Sequence, residues 1–363
     1  MLTRRRFLEN LSAGLSLAPS AAALARAQGK DELRPGSISE FCERLRPLGR
    51  VLQTAEWYIW CASPIYGPDG KAHLFFSRWP AARRMGGWIN SSEIAHAVAP
   101  TPEGPFEALG PVLQPRGAGF WDATTCHNPH IQFVDGKYCL FYMGNSNGKT
   151  DTKRIGLAVS DSLDGPWQRP DEPLLEPGPP AAWDSHCTTN PAFVRHPSGQ
   201  YWLYYKSWNT AEYESAPRTA AIRGNRKYGL AIADKLEGPY IKHPANPIID
   251  FSSRGANRQY EDAYVWREGD RFRMIGRDMG FYGHEVGLYL ESDDGLRWSE
   301  PKVAYLPIRE YVSEPPAPPH LSRYGRLERP QLLMRDGKPT HLFTAAQGGR
   351  FMTSSPFVFR IEN

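Results

Sequence analysis

The sequence predicts an all-β fold, a five-bladed β-propeller with a short N-terminal helical segment. Three observations predict it. A hairpin unit recurs five times, a second strand–turn unit alternates with it, and the composition suits many short strands joined by tight turns. Gly 33 and Pro 33 supply the turns, and Trp 11, Tyr 17 and Phe 16 supply large apolar side chains.

The N-terminus is set aside first. Residues Thr3 to Leu8 read TRRRFL, followed by the small, apolar LSAGLSLAPSAAALARAQG. An arginine pair, a modest apolar stretch and Ala-x-Ala-like sites predict a twin-arginine signal over 1–28, and hence a periplasmic or secreted protein. The stretch is broken by Pro19 and Arg26 and is too short to span a bilayer. Residues 29–52 are expected to be a helical extension packed outside the ring. Residues 53–363 are then the propeller.

The hairpin units begin SPIYGPDGKAHLFFSRW at Ser63, NPHIQFVDGKYCLFYMG at Asn128, NPAFVRHPSGQYWLYYKSW at Asn190, EDAYVWREGDRFRMIGRDM at Glu261 and ERPQLLMRDGKPTHLFTAA at Glu328. Each is a strand, a Gly-containing turn and a second strand. Glycine serves there because one turn position needs positive φ. The alternating units begin at Ser91, Lys153, Arg226 and His284, and align on Ala95, Gly156, Gly229 and Gly287. One pair of units supplies about four strands, a propeller blade. The fifth blade lacks a complete outer unit, so SSPFVFRIEN is expected to pair near AEWYIW and close the ring.

Composition also excludes partners. The formal net charge is +4, with part of it in the signal, and no basic stripe appears, so nucleic acid is not expected. Five cysteines, Cys42, Cys61, Cys126, Cys139 and Cys187, form no CxxC pair. A Cys126–Cys187 bridge is conceivable, and unpaired structural cysteines are the other outcome. No HExxH or nucleotide loop is present.

The stretches TTCHNPHIQF and HCTTNPAFV occupy the same place in successive blades, where an innermost strand begins. In a propeller all such starts converge on the axis. Polar residues there line a funnel, although Asn-Pro also serves as a plain strand-start turn.

The repeats SDSLDGPW and ADKLEGPY resemble the outer-strand repeats of five-bladed propeller glycoside hydrolases, families 43 and 117 and the allied 32, 62 and 68. The resemblance covers nearly the whole mature chain. It implies a hydrolase cleaving a glycosidic bond in a plant or algal oligosaccharide, inverting, with acids on the first three blades. This chain departs from that pattern: Ser63, Asn128 and Asn190 stand where those acids are expected. Family 117 is similar in using a His-Glu pair, which His284 and Glu285 would match, and its use of an N-terminal segment as a dimer contact implies a homodimer through residues 29–52. Some relatives hold an axial calcium ion near a histidine, a place His127 could take, but no motif here specifies a metal and no cofactor is expected.

Glycoside hydrolysis needs two carboxyl groups flanking the bond. Asp262 and Glu328 are the expected main pair, with Asp122 as third acid and Glu285 or His284 as candidate general acid. Adjacent Glu261 and Asp262 alternate in a strand, so one of them faces the axis. Structural roles compete: a Glu328–Arg329 ion pair locking blades, Glu261 bonded to backbone, Asp122 and Asp184 capping turns. Expected sugar contacts are His127, Asn128, Asn190 and Asp184, with Trp121 among the possible stacking platforms Trp60, Trp79, Trp183 and Trp208. Arg78, Lys206, Arg277 and Arg329 would suit an acidic sugar, unless they pair with the acids. A non-catalytic carbohydrate-binding propeller, a polysaccharide lyase and a glycoside phosphorylase stay open as alternatives.

Overall fold

The computed structural model describes residues 36–217, 223–255 and 258–362. The expected signal over 1–28 lies outside them. Nineteen strands form five blades around an axis. Blade one is β2 (Trp57–Tyr66), β3 (Ala72–Pro80), β4 (Glu93–Ala99) and β5 (Glu107–Leu113). Blade two is β6 (Thr125–Val134), β7 (Lys137–Asn145) and β8 (Arg154–Ser160), with lone bridges from Gln168 and Leu175 in place of an outer strand. Blade three is β9 (Thr189–Arg195), β10 (Tyr201–Ser207), β11 (Lys227–Ala233) and β12 (Ile241–Lys242). Blade four is β13 (Gln259–Glu268), β14 (Arg271–Met279), β15 (Gly287–Ser292) and β16 (Lys302–Tyr305).

Blade five is built from both ends of the propeller. β17 (Glu328–Arg335), β18 (Lys338–Gly348) and β19 (Thr353–Ile361) pair in order, and β1 (Leu45–Arg50) adds antiparallel to β19 from Leu45↔Ile361 to Arg50↔Phe357. The helix expected over 29–52 is therefore confined, among the described residues, to α1 (Glu40–Glu43). Ser39 caps it by accepting from the Cys42 amide at 3.1 Å. The strand that follows, LRPLGR, replaces helix because Pro47 and Gly49 break helical pairing while the exposed flank of β19 needs a partner. The expected contact between β19 and the AEWYIW region is a single parallel pair, Ser354↔Tyr58.

The strands read as near-continuous apolar runs because both faces of each blade are covered. Successive side chains of β10 alternate between two interblade cores: Leu203 and Tyr205 pack with Phe141 and Leu157 of blade two, Trp202 and Tyr204 with Val265 and Met274 of blade four. Phe75 and Phe76 divide likewise, toward blade two and blade five. Each such ring or aliphatic side chain, fully buried, contributes about 1.5–3 kcal/mol. The innermost strands touch in the ring order β2, β6, β9, β13, β17 and back to β2. All five cysteines are buried and free, so Cys126 and Cys187 form no bridge. Among the described residues no helix is long and apolar enough to cross a membrane.

Candidate functional site

Every innermost strand carries the same defect. One residue with positive φ interrupts its pairing with the second strand: Cys61 (φ 47), Asn128 (φ 55), Asn190 (φ 52), Asp262 (φ 62) and Arg329 (φ 55). The register slips at these bulges in all five blades. Asn and Asp enter the left-handed region readily; Cys and Arg do so at a cost of about 1–3 kcal/mol each, strain that neighbouring structure must hold in place. The defect also corrects the alignment of blade one. Cys61, not Ser63, is the counterpart of Asn128 and Asn190.

The five bulge residues close the bottom of a funnel by bonding sideways. Arg329 Nη1 donates to Asp262 Oδ1 at 2.8 Å and Arg329 Nη2 approaches Cys61 Sγ at 3.4 Å. Asn190 Nδ2 donates to the same Asp262 oxygen at 2.7 Å, and Asn128 Nδ2 donates to Asn190 Oδ1 at 3.0 Å. Two residues deeper, Gln331 Oε1 meets Ser63 Oγ at 3.1 Å and His130 Nδ1 at 3.0 Å, which plugs the axis.

Above this floor lies a cavity of about 410 Å³, within the range of small-molecule sites. The residues one before each bulge face it: Trp60, His127, Thr189, Glu261 and Glu328. Their register partners on the second strands include Met143, Lys206 and Arg277, which also line it. A third tier lies at the head of each alternating unit, three positions before the aligned alanine or glycine: Ser92, Lys153, Arg226 and His284. The last three reach the cavity, and Ser92 bonds His127 Nδ1 at 2.9 Å.

The structure thus brings together His127, Asn128, Asn190, Lys206, Glu261, Asp262, Arg277, His284, Glu328 and Arg329. Five expected residues sit elsewhere. Arg78 follows Ser77, the true counterpart of Lys206 and Arg277, so strand alternation turns it away to Glu93 at 2.8 Å. Asp122 lies behind blade two, accepting from Tyr142 Oη at 2.8 Å, Arg116 Nε at 2.7 Å and Arg169 Nη1 at 3.0 Å. Asp184 repeats this in blade three with Tyr205 Oη at 2.9 Å and Lys242 Nζ at 2.6 Å. Trp121 stacks on Tyr142 at 5.4 Å, as Trp183 stacks on Tyr205 at 5.7 Å. Glu285 pairs with Arg309 at the surface at 2.5 Å. Of the aromatic platforms, Trp60 and Trp208 line the cavity, whereas Trp79 stacks on Tyr58.

The cavity carboxylates are paired with cations. Glu261 takes Lys206 Nζ at 2.7 Å and Arg226 Nε at 2.6 Å on one oxygen, and Arg277 Nη1 at 3.0 Å on the other. Burial would raise this carboxyl, but Lys206, Arg226 and Arg277 outweigh it and hold it well below the carboxylate range. Glu328 meets Arg323 at 3.1 Å on Oε2; its Oε1 has Arg277 and Arg326 at 3.4 and 3.5 Å yet accepts no hydrogen bond. Burial again raises and Arg277, Arg323 and Arg326 lower its pKa, and the net shift is downward. His284, half-buried, is lowered by burial, with Asp278 opposing. Burial pushes the Lys153 ammonium down to about 8.

Lys206, Arg277 and Arg329 pair with acids, so those three alone give no argument for an acidic sugar. Sequence reading missed Lys153, Arg226, Arg323 and Arg326. The signal for the first two was the third-tier position of the repeats. Nor do the axial residues fit a calcium ion, which wants six to eight oxygens. Arg329 crosses the axis beneath His127, and Arg329, Arg323 and Lys153 surround that imidazole, which burial and these cations keep neutral.

No family model matches the chain. An extracellular endo-α-(1→5)-L-arabinanase of Thermotoga petrophila is 29% identical over 142 residues, which take in 33% of this chain and 29% of that protein. The match thus spans less than a third of the curated relative's length. A family 117 glycoside hydrolase of the marine bacterium Zobellia galactanivorans superposes with a TM-score of 0.59 at 20% identity, covering 84% of this chain and 85% of that one. A protein described as a glycoside hydrolase superposes with a TM-score of 0.64 at 14% identity, covering 86% and 90%. A family 43 enzyme from Xanthomonas citri gives 0.54 at 15% identity, again covering 86% and 90%. The bulged five-blade ring and these superpositions together give this chain the fold of the propeller glycoside hydrolases of families 43 and 117.

Proposed function

We propose that the protein is an exported glycoside hydrolase that removes a terminal sugar from a plant or algal oligosaccharide. The observation that carries this is the Glu328 carboxylate: buried at the cavity wall, held ionised, with one oxygen free of hydrogen bonds. Such a group suits a general base that activates water. Asp262 is its partner at the floor, where Oδ2 takes only the Arg329 amide at 3.3 Å and can meet a sugar hydroxyl or developing charge. Glu261, saturated by three cations, orients Lys206, Arg226 and Arg277. Neither glutamate is a raised-pKa acid, so His284 is the proton donor. A base-and-acid pair with an intervening water gives inversion. Among the described residues Asn128 Oδ1 has no hydrogen-bond partner, and it offers an acceptor to a sugar hydroxyl. The plugged axis makes a dead end, which favours exo-action. Export rests on the arginine pair and apolar stretch of residues 1–28, and a homodimer through residues 29–52 is a further expectation.

The test is a panel of plant and algal oligosaccharides, with products read by mass and by anomeric proton NMR, beside Glu328→Gln and Asp262→Asn. Loss of turnover by about 10²–10⁴ in Glu328→Gln is expected. Unchanged turnover would remove Glu328 from the chemistry. The full cation pairing of Glu261 and Glu328 also favours a second reading, a carbohydrate-binding propeller without turnover. In that case binding survives both substitutions and no product forms.

A further inference from the structure

Three cations converge on one indole. Lys153 Nζ, Arg226 Cζ and Lys206 Nζ lie 4.5, 5.1 and 5.7 Å from the Trp208 ring. Two are accounted for, since Lys206 and Arg226 share one oxygen of Glu261. Lys153 is different. It comes from blade two, is buried, lines the cavity, and among the described residues its ammonium has no carboxylate, carbonyl or hydroxyl partner. Trp208 and Trp88, the latter at 5.8 Å, ease its burial by cation–π attraction. Ring faces accept no hydrogen bond of ordinary strength, so its three N–H donors, at the cavity wall, have no protein acceptor among the described residues. The cavity as a whole has the same imbalance, with seven lysines and arginines facing three carboxylates.

We propose that Lys153, with Arg226 and Lys206 beside it, binds an oxyanion carried by the substrate, the carboxylate of a uronate or the sulfate of a sulfated sugar. The proposal rests on reading the cavity as a sugar site. It differs from the expectation drawn from Lys206, Arg277 and Arg329, because it stands on a cation that makes no ion pair with a carboxylate among the described residues.

The experiment is calorimetric titration of the full chain with glucuronate- and galacturonate-ended disaccharides and sulfated galactose, each against its neutral counterpart. At least tenfold tighter binding of an acidic sugar is expected. Lys153→Met should abolish that preference and Lys153→Arg should keep it. Equal affinity for acidic and neutral sugars, or a preference that survives Lys153→Met, overturns the proposal. Should Lys153→Met fail to fold, Arg226→Gln is read instead, where a weakened preference supports the anchor and an unchanged one overturns it. Inorganic phosphate forms a separate arm. Phosphate bound through Lys153 without any preference among sugars assigns the site to free phosphate and overturns a sugar-borne anion. If no sugar is turned over yet the acidic preference depends on Lys153, the hydrolase reading fails while the anchor stands.

Discussion

Two sets of buried acids in this molecule look alike on paper and differ in place. Asp122 and Asp184 lie behind the blades, and each is satisfied close to home. Asp122 is met by Tyr142 of its own blade's second strand and by two nearby arginines, Asp184 by Tyr205 and Lys242 of blade three. Glu261 and Glu328 lie at the funnel wall and draw their cations from different blades and from the loop before β17. All four are buried and paired, so pairing alone does not mark an acid as structural. Convergence from several blades on one cavity is what separates the second set. The seam acids hold a blade's Trp-Tyr stack in place; the funnel acids assemble a charged wall.

The sharpest way to break this comparison is at the seam. Asp122→Asn should destabilise the protein by about 3 kcal/mol, since it leaves the partly buried Arg169 short of its charge partner and Arg116 with the exposed Asp171 alone. Ligand affinity should be unchanged, and both are read by denaturant unfolding and titration. Altered affinity at intact stability would move Asp122 into the site. The second test is the pH profile. Glu328 must be ionised, and its pKa lies below its ordinary 4.5, so activity falls only as pH drops through that lowered value. His284 must be protonated, and its pKa lies below 6.5, so activity also falls as pH rises through that value. The optimum is therefore acidic, and His284→Gln should remove the alkaline limb. An optimum above pH 7 would exclude His284 as donor. The smallest effect is expected for Tyr142→Phe, about 1 kcal/mol from one lost bond to Asp122, measured by thermal unfolding.

The blades were legible in the sequence because hairpin turns and apolar runs recur in alternating units, and the repeats set where strands begin. The phase of the funnel was less legible. Asn-Pro at 128 and 190 invites alignment with Ser63-Pro64, but the backbone aligns those asparagines with Cys61, and only the left-handed residue reveals it. Arg78 shows the same problem at one residue's remove, since in a strand a single step exchanges cavity for exterior. Lys153 and Arg226 were written at equivalent places of two repeats, yet look like ordinary surface cations until the tiers are stacked. The strand Leu45–Arg50 could not be read from its own residues, because its partner lies at the other end of the chain.

That distant pairing has a consequence for how the molecule comes into being. Arg50 and Phe357 are about 300 positions apart, and the last blade is complete only when both segments are present. A growing chain can assemble four blades in succession, but each waits as an open arc with an uncovered flank. The loop-closure entropy falls on a single late event, and such non-local pairing is slow. Closure thus acts as a completeness check: a chain that lacks the last hairpin has four innermost strands and no closed funnel floor, and one that lacks Leu45–Arg50 leaves the flank of β19 bare.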